Sequence, residues 1–150
     1  MRAVIQRVSS ACVTIDGDVT GSIEAGYLIL LGVSKNDNEK EAQKLWGKIS
    51  KLRIFCDEDG KTNLSLHDID GSVLVVSQFT LYANCKKGNR PSFTDAGSPD
   101  EADRLYEAFL ALARADLGEE RVAHGSFGAE MQVALVNDGP FTIVLDTDTL

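Results

Sequence analysis

This chain has few of the residues that build metal and cofactor sites. Its 150 residues include three cysteines and two histidines. Cys12, Cys56 and Cys85 are odd in number and widely spaced, which argues against a disulfide framework and for a reducing compartment. With His67 and His124 they make no CxxC, HxxxH or HExxH pattern, so no metal site is expected. No GxGxxG follows a strand-like run and there is no Walker loop, which disfavours the nucleotide-cofactor folds, and no cofactor is expected. DEDGK at 57–61 lacks the ligand spacing of a calcium loop and reads as a turn. Long apolar runs are also missing. YLILLGV falls far short of the roughly 18 residues of a membrane span. The opening MRAVIQRVSSA alternates around Arg7, unlike the apolar stretch of a signal peptide, so a cytoplasmic protein with no membrane partner is expected. Basic residues are outnumbered, 15 against 23 acidic, and the formal charge of −8 argues against broad nucleic-acid affinity. One segment runs the other way. CKKGNRPSFTDAG, residues 85–97, places Lys86, Lys87 and Arg90 in a loop punctuated by Gly and Pro. Such a loop is either simply solvated or a phosphate contact.

What is present describes one globular domain, 43% hydrophobic and 25% charged, long enough to bury a core. RAVIQRV alternates Ala3, Ile5 and Arg7 on one face with Val4, Gln6 and Val8 on the other. Arg7 therefore stands either at a sheet rim or buried and paired. CVTIDGDVTGSI is a hairpin turning at Asp16–Gly17, and GYLILLGV follows as a buried strand. Residues 38–52 switch to helical period, with Ala42, Leu45, Trp46, Ile49 and Leu52 as the apolar stripe and Trp46 as a core residue. SVLVVSQFTLYA at 72–83 is the most strand-like segment, its first half apolar enough to be covered on both faces. SPDEADRLYEAFLALARADLG is a helix with Ser98 as N-cap, Pro99 at the first position and Glu101 closing a capping box. Leu105, Tyr106, Phe109 and Leu112 form its buried stripe. MQVALVN and FTIVLD are the last two strands. The succession gives an α+β domain around a mostly antiparallel sheet or barrel with two main helices.

The polar residues most exposed to chemical interpretation are Ser77, Gln78 and Thr80 in SQFT, at the end of the apolar strand. In a strand Ser77 and Phe79 point one way, Gln78 and Thr80 the other. They either satisfy backbone groups at a strand end or form a pocket wall where hydroxyls, an amide and main-chain N–H groups converge. A hydroxyl nucleophile needs a base beside it, yet no GxSxG elbow is present and both histidines lie in unrelated turns. An enzyme built here would supply shape and hydrogen bonds rather than a covalent intermediate. Near the other end, Gly139–Pro140 interrupts VNDGPFTIVLD. Proline is placed there as the first residue of a strand after an Asn-Asp-Gly turn, or as part of a special cis peptide; local rules favour the hairpin.

Together these segments resemble the D-aminoacyl-tRNA deacylase family over essentially the whole chain: MRAVIQRVSSA, LRIF with DEDGK and NLSL, VVSQFTLYA, KKGNRPSFTDA, and FGAEMQVALVNDGPFT. SQFT and NDGP are the family's two signature segments. The resemblance implies a compact, mostly β homodimer in which a cis Gly139–Pro140 reaches into the partner's active site, leaving no room for the side chain of an L-amino acid. It implies hydrolysis of D-aminoacyl-tRNA, and of glycine mischarged on alanine tRNA, with the terminal 2′-hydroxyl of the RNA in place of a side-chain base. Main-chain N–H groups at Phe79 and Thr80 would receive the ester carbonyl oxygen, with Gln78 and Ser77 positioning the substrate. Arg7 would fix the Gly-Pro loop, and Lys86, Lys87 and Arg90 would meet phosphates of the acceptor end. Where most members read GPVT this chain has Phe141, which bears on packing beneath the loop. Rival readings are a conventional Ser/Thr esterase, a non-catalytic tRNA-binding module, and a related deacylase of altered chirality.

Overall fold

β1 (Arg2–Ile15) is the strand on which the sheet is assembled in the computed structural model, which describes residues 1–150. Its first half pairs antiparallel with β3 (Gly26–Gly32), and its second half with β2 (Asp18–Ile23). On its other edge it carries β8 (Gln132–Asp146) along almost its full length. The order β2-β1-β3-β6-β7 continues with two parallel pairings, to β6 (Ser72–Ser77) and β7 (Val122–His124). β2 and β7 come close enough that a Cβ on Gly21 would lie 2.8 Å from the His124 carbonyl oxygen, so the sheet curls nearly into a barrel. A separate hairpin, β4 (Phe55–Cys56) and β5 (Thr62–Leu64), holds the DEDGK turn. There Asp57 Oδ1 accepts from the N–H groups of Asp59 and Lys61.

Local chemistry accounts for most boundaries. Asp16 and Gly17 both have positive φ, 50° and 87°, the pair a tight hairpin turn requires. α1 (Glu39–Ile49) starts at Asn38, whose side chain accepts from the Lys40 N–H while Glu41 reaches back to the Asn38 N–H. α2 (Pro99–Leu117) starts at Ser98 with Pro99 in the first turn, but the expected capping box is absent. Glu101 is instead engaged by Arg104, which also reaches Glu39 and so ties α2 to α1. The charged fork of arginine outcompetes a neutral N–H for the carboxylate.

The core lies on both sides of the central strands. Tyr27, Ile29, Leu31, Val73 and Val75 face the two helices, where Leu45, Trp46, Ile49, Leu105 and Phe109 are buried. Leu28, Leu74 and Val76 face the barrel interior with Val8, Val13 and Ile23. Each such side chain contributes about 1.5–3 kcal/mol of burial. Trp46 is a core residue, as its place in the stripe suggests, packed edge-on to Phe109 with its N–H donated to Asp116. In α2 the buried row includes Leu110, with Leu112 only half-buried at the margin, and Leu52 lies beyond the end of α1.

Two expectations about the strands are corrected. β6 stops at Ser77, and Phe79–Tyr82 is a 3₁₀ turn rather than more strand. MQVALVN and FTIVLD are not two strands joined by a hairpin: both belong to β8 and both pair with β1. Asn137–Asp138 therefore does not reverse the chain.

Candidate active site

The SQFT segment turns because β3, its neighbour, has run out. The Gln78 N–H makes a last bond to the Leu31 carbonyl at 2.8 Å. Beyond it, Gly32 offers no Cβ, and Gln78 O, Leu81 Cβ and Tyr82 close over it at 3.1–3.3 Å from where a Cβ would be. Tyr82 is thereby buried and Phe79 is left 56% exposed. The first bond of the turn runs from the Leu81 N–H to the Gln78 carbonyl. A 3₁₀ turn leaves the N–H groups ahead of that bond, those of Phe79 and Thr80, without a partner inside it. The strand expectation for these two residues fails, yet the same two N–H groups are the ones set free.

Beside the turn lies a cleft of about 610 Å³, mostly apolar, with Ser77, Gln78 and Phe79 on one wall. Phe93, Tyr106, Phe127 and Met131 supply much of the rest. Phe93 meets Phe79 edge-on at 5.0 Å, linking the basic loop to the turn. Tyr106 donates to the Val75 carbonyl at 2.9 Å, and burial pushes its phenol well above the usual range, so it remains a hydrogen-bonding hydroxyl. The Gln78 amide donates to the Thr80 hydroxyl. Neither histidine is hydrogen-bonded to these groups: His67 pairs with Asp116, and His124 Nδ1 meets the Gly125 carbonyl. No cluster of three or more His, Cys, Asp or Glu side chains suited to a metal ion is present.

Arg7 resolves to the buried alternative, 5% exposed. Opposite it in β8 the ladder skips: Val8 pairs with Asn137 and Gln6 with Thr142, leaving Asp138–Phe141 to bulge out. Arg7 Nε donates to the Asp138 carbonyl at 2.9 Å and lies 3.0 Å from its Oδ2, while Nη1 donates to the Ile54 carbonyl. The guanidinium stacks on the Phe141 ring, 4.1 Å from the centroid. Phe141, which follows the Gly-Pro dipeptide, is thus the floor under Arg7. The Gly139–Pro140 peptide is cis and both residues are exposed. Neither lines the cleft of its own chain.

The family described as D-Tyr-tRNA(Tyr) deacylase matches residues 4–146. The chain belongs to that family. A D-aminoacyl-tRNA deacylase of Thermosipho melanesiensis is 53% identical over 98% of this chain and 97% of that protein. One of Lacticaseibacillus casei is 55% identical over 99% of each. Among solved structures, the one described as c-Myc DNA Unwinding Element Binding Protein superposes with a TM-score of 0.93 at 43% identity, covering 97% of this chain and 98% of that one. A probable eukaryotic D-amino acid tRNA deacylase shares the fold, with a TM-score of 0.82 at 17% identity over 96% and 97%.

Of the residues singled out in the sequence, the fold gathers Ser77, Gln78 and Phe79 at the cleft, with Thr80 beside them on the turn. Arg7, Gly139 and Pro140 form a second group on the β1–β8 edge. Lys86, Lys87 and Arg90 sit on an exposed loop pinned at its base by the Asn84–Ser92 bridge. None of the three is in an ion pair. Sequence reasoning missed Phe93 and Phe127 as cleft residues. Each stands alone among polar and glycine neighbours, in PSFTD and GSFGA, and such an isolated aromatic was the available signal. No helix is long and apolar enough to cross a membrane.

Proposed function

We propose that the chain hydrolyses the ester of D-aminoacyl-tRNA, releasing tRNA and the D-amino acid, and acts likewise on glycine mischarged on alanine tRNA. The observation that carries this reading is the pair of N–H groups at Phe79 and Thr80, uncommitted within their turn at the lip of an apolar cleft. Such donors suit the oxygen on which charge develops when an ester is attacked. The cleft takes the terminal adenosine, with Gln78 and Ser77 orienting it. Since neither imidazole is hydrogen-bonded to a hydroxyl of this segment, the terminal 2′-hydroxyl of the RNA serves in place of a side-chain base. The Thr80 hydroxyl, bonded by Gln78, is a structural group in this scheme.

The working unit is a homodimer. The outer part of β8 exposes Val136 and Val144, 58% and 63% accessible, with Leu135 beside them, an apolar edge suited to a second copy. Gly139 and Pro140, on the same strand, then enter the partner's cleft and leave space for hydrogen where an L-amino acid carries its side chain. Lys86, Lys87 and Arg90 meet backbone phosphates of the acceptor end, a brief contact compatible with a charge of −8.

The test uses D-Tyr-tRNA ending in adenosine or 2′-deoxyadenosine. Thr80→Ala retains substantial activity on the first, and wild type nearly loses activity on the second. A folded, tRNA-binding Thr80→Ala protein without activity, together with full activity on the deoxy substrate, contradicts the RNA-assisted route. Covalent labelling of Ser77 or Thr80 by an acylating reagent supports a conventional esterase instead.

A further inference from the structure

We infer that Arg2 is a positioning residue for this reaction, holding from β1 the turn whose N–H groups meet the ester. The inference rests on the reading above that the Phe79 and Thr80 N–H groups receive the carbonyl oxygen. A four-residue 3₁₀ turn has little rigidity of its own. Its i→i+3 bonds, Leu81 to Gln78 and Ala83 to Thr80, are 3.2 and 3.0 Å, and such short runs have poor hydrogen-bond geometry. What fixes its N–H groups is therefore what grips its two ends. The upstream end is held by the Gln78–Leu31 bond. The downstream end is held by Arg2.

Three contacts converge there. Arg2 Nη1 donates to the Leu81 carbonyl at 2.7 Å. The guanidinium lies over the Tyr82 ring, 4.5 Å from its centroid. Nε and Nη2 both meet Asp146 Oδ2, at 2.8 Å. Asp146 is the residue paired with Arg2 across the β1–β8 ladder, so the carboxylate is delivered by strand register. With one side of the planar fork taken by Asp146, the remaining donor is aimed at the turn. Arg2 lines a polar hollow of about 400 Å³, together with Tyr82 and Lys86, and is not part of the apolar cleft. It touches the turn and stands outside the cleft assigned to the substrate.

The geometry also separates Arg2 from a residue that only stabilises the fold. Ala3 and Ile5 on the same strand, fully buried, fill that role. Arg2 is half-buried and spends a donor on a carbonyl one residue past the oxyanion N–H groups.

The test compares wild type, Arg2→Met, Arg2→Lys, Asp146→Asn and the Arg2→Met/Asp146→Asn double variant on D-Tyr-tRNA. Displacement of reacting groups by about 1 Å costs on the order of 10²-fold, so Arg2→Met lowers kcat about 10- to 100-fold. KM stays within about threefold, because the cleft walls are untouched. Arg2→Lys recovers part of the loss, since an ammonium reaches either Leu81 or Asp146 but not both. The double variant is no slower than Arg2→Met, because both changes act through one guanidinium. A folded Arg2→Met protein with wild-type kcat overturns the inference. If Arg2→Met does not fold, Asp146→Asn decides: a fall in kcat of about threefold or more at unchanged KM supports it, and unchanged kcat overturns it. The amide NMR signals of Phe79 and Thr80 give a readout independent of activity. They shift in Arg2→Met, and their failure to move overturns the inference even if wild type proves inactive, an outcome that would instead count against the proposed function.

Discussion

Arg7→Met removes the cation beneath the Gly139–Pro140 loop while keeping an unbranched apolar stem in the strand. Two backbone carbonyls, of Asp138 and Ile54, lose a charged donor, and the Phe141 ring loses its stacking partner. Breaking a fully buried pair costs about 3–5 kcal/mol. Here Arg7 is buried but Asp138 is 55% exposed on its side chain, so the carboxylate is rescued by water and the cost falls toward about 2–3 kcal/mol. Urea unfolding at fixed protomer concentration measures it, since dimer stability depends on concentration. The functional effect is directional. Between Asn137 and Thr142 no β1 pairing holds the bulge, so without Arg7 the Gly-Pro loop loses its anchor and the space it denies to an L side chain opens. Cleavage of L-Tyr-tRNA rises about tenfold or more, the equivalent of 1.4 kcal/mol of lost exclusion, while D-Tyr-tRNA turnover changes far less. A folded Arg7→Met protein with wild-type discrimination refutes the reasoning, as does a parallel loss of both activities.

Other regions carry their own expectations. Alanine at Lys86, Lys87 and Arg90 together weakens tRNA binding and flattens its salt dependence by about two to three units of log–log slope, read by titration across salt concentrations; an unchanged slope removes the loop from the interface. Burial works against the Asp146 charge, but the Asp148 N–H and Arg2 outweigh it and hold the carboxyl below the usual carboxylate range. A depressed acid stabilises above its unfolded pKa, so the melting-temperature gap between wild type and Asp146→Asn is steady above about pH 5 and closes as the pH falls through the depressed folded value. Val136→Asp with Val144→Asp places two charges on the proposed dimer edge, and sedimentation should show monomer with lost activity; a persistent dimer relocates the interface.

Legibility in the sequence followed the range of the interaction. Asp16–Gly17 and the two apolar helix stripes are decided within a few residues, and both are found, with Leu112 only half-buried and Leu52 beyond the end of α1. SQFTLY has strand-like residues, but its path is decided by Gly32 and Leu31 on another strand, which no local rule sees. NDGP reads as a hairpin because Asn, Asp and Gly favour turns. What prevents reversal is β1, long enough to pair with both flanking segments and to bring Arg7 under the gap. Alternation left Arg7 open between rim and core for the same reason: its partners are 131 and 47 residues away in sequence. The capping box at Ser98 failed because Arg104 was a better partner for Glu101. Arg2 resembles any surface charge in the sequence, because its partners Asp146 and Leu81 are distant along the chain.

Selection between the epimeric D- and L-aminoacyl esters, by a Gly139–Pro140 loop that meets them at the other protomer's Phe79–Thr80 turn, is the central claim. It is tested most directly by mixing D-[³H]Tyr-tRNA and L-[¹⁴C]Tyr-tRNA in one tube with the purified protein and following release of each label. Rapid loss of the tritium label with the carbon label retained is the predicted result. Equal release of both labels, or of neither, contradicts it.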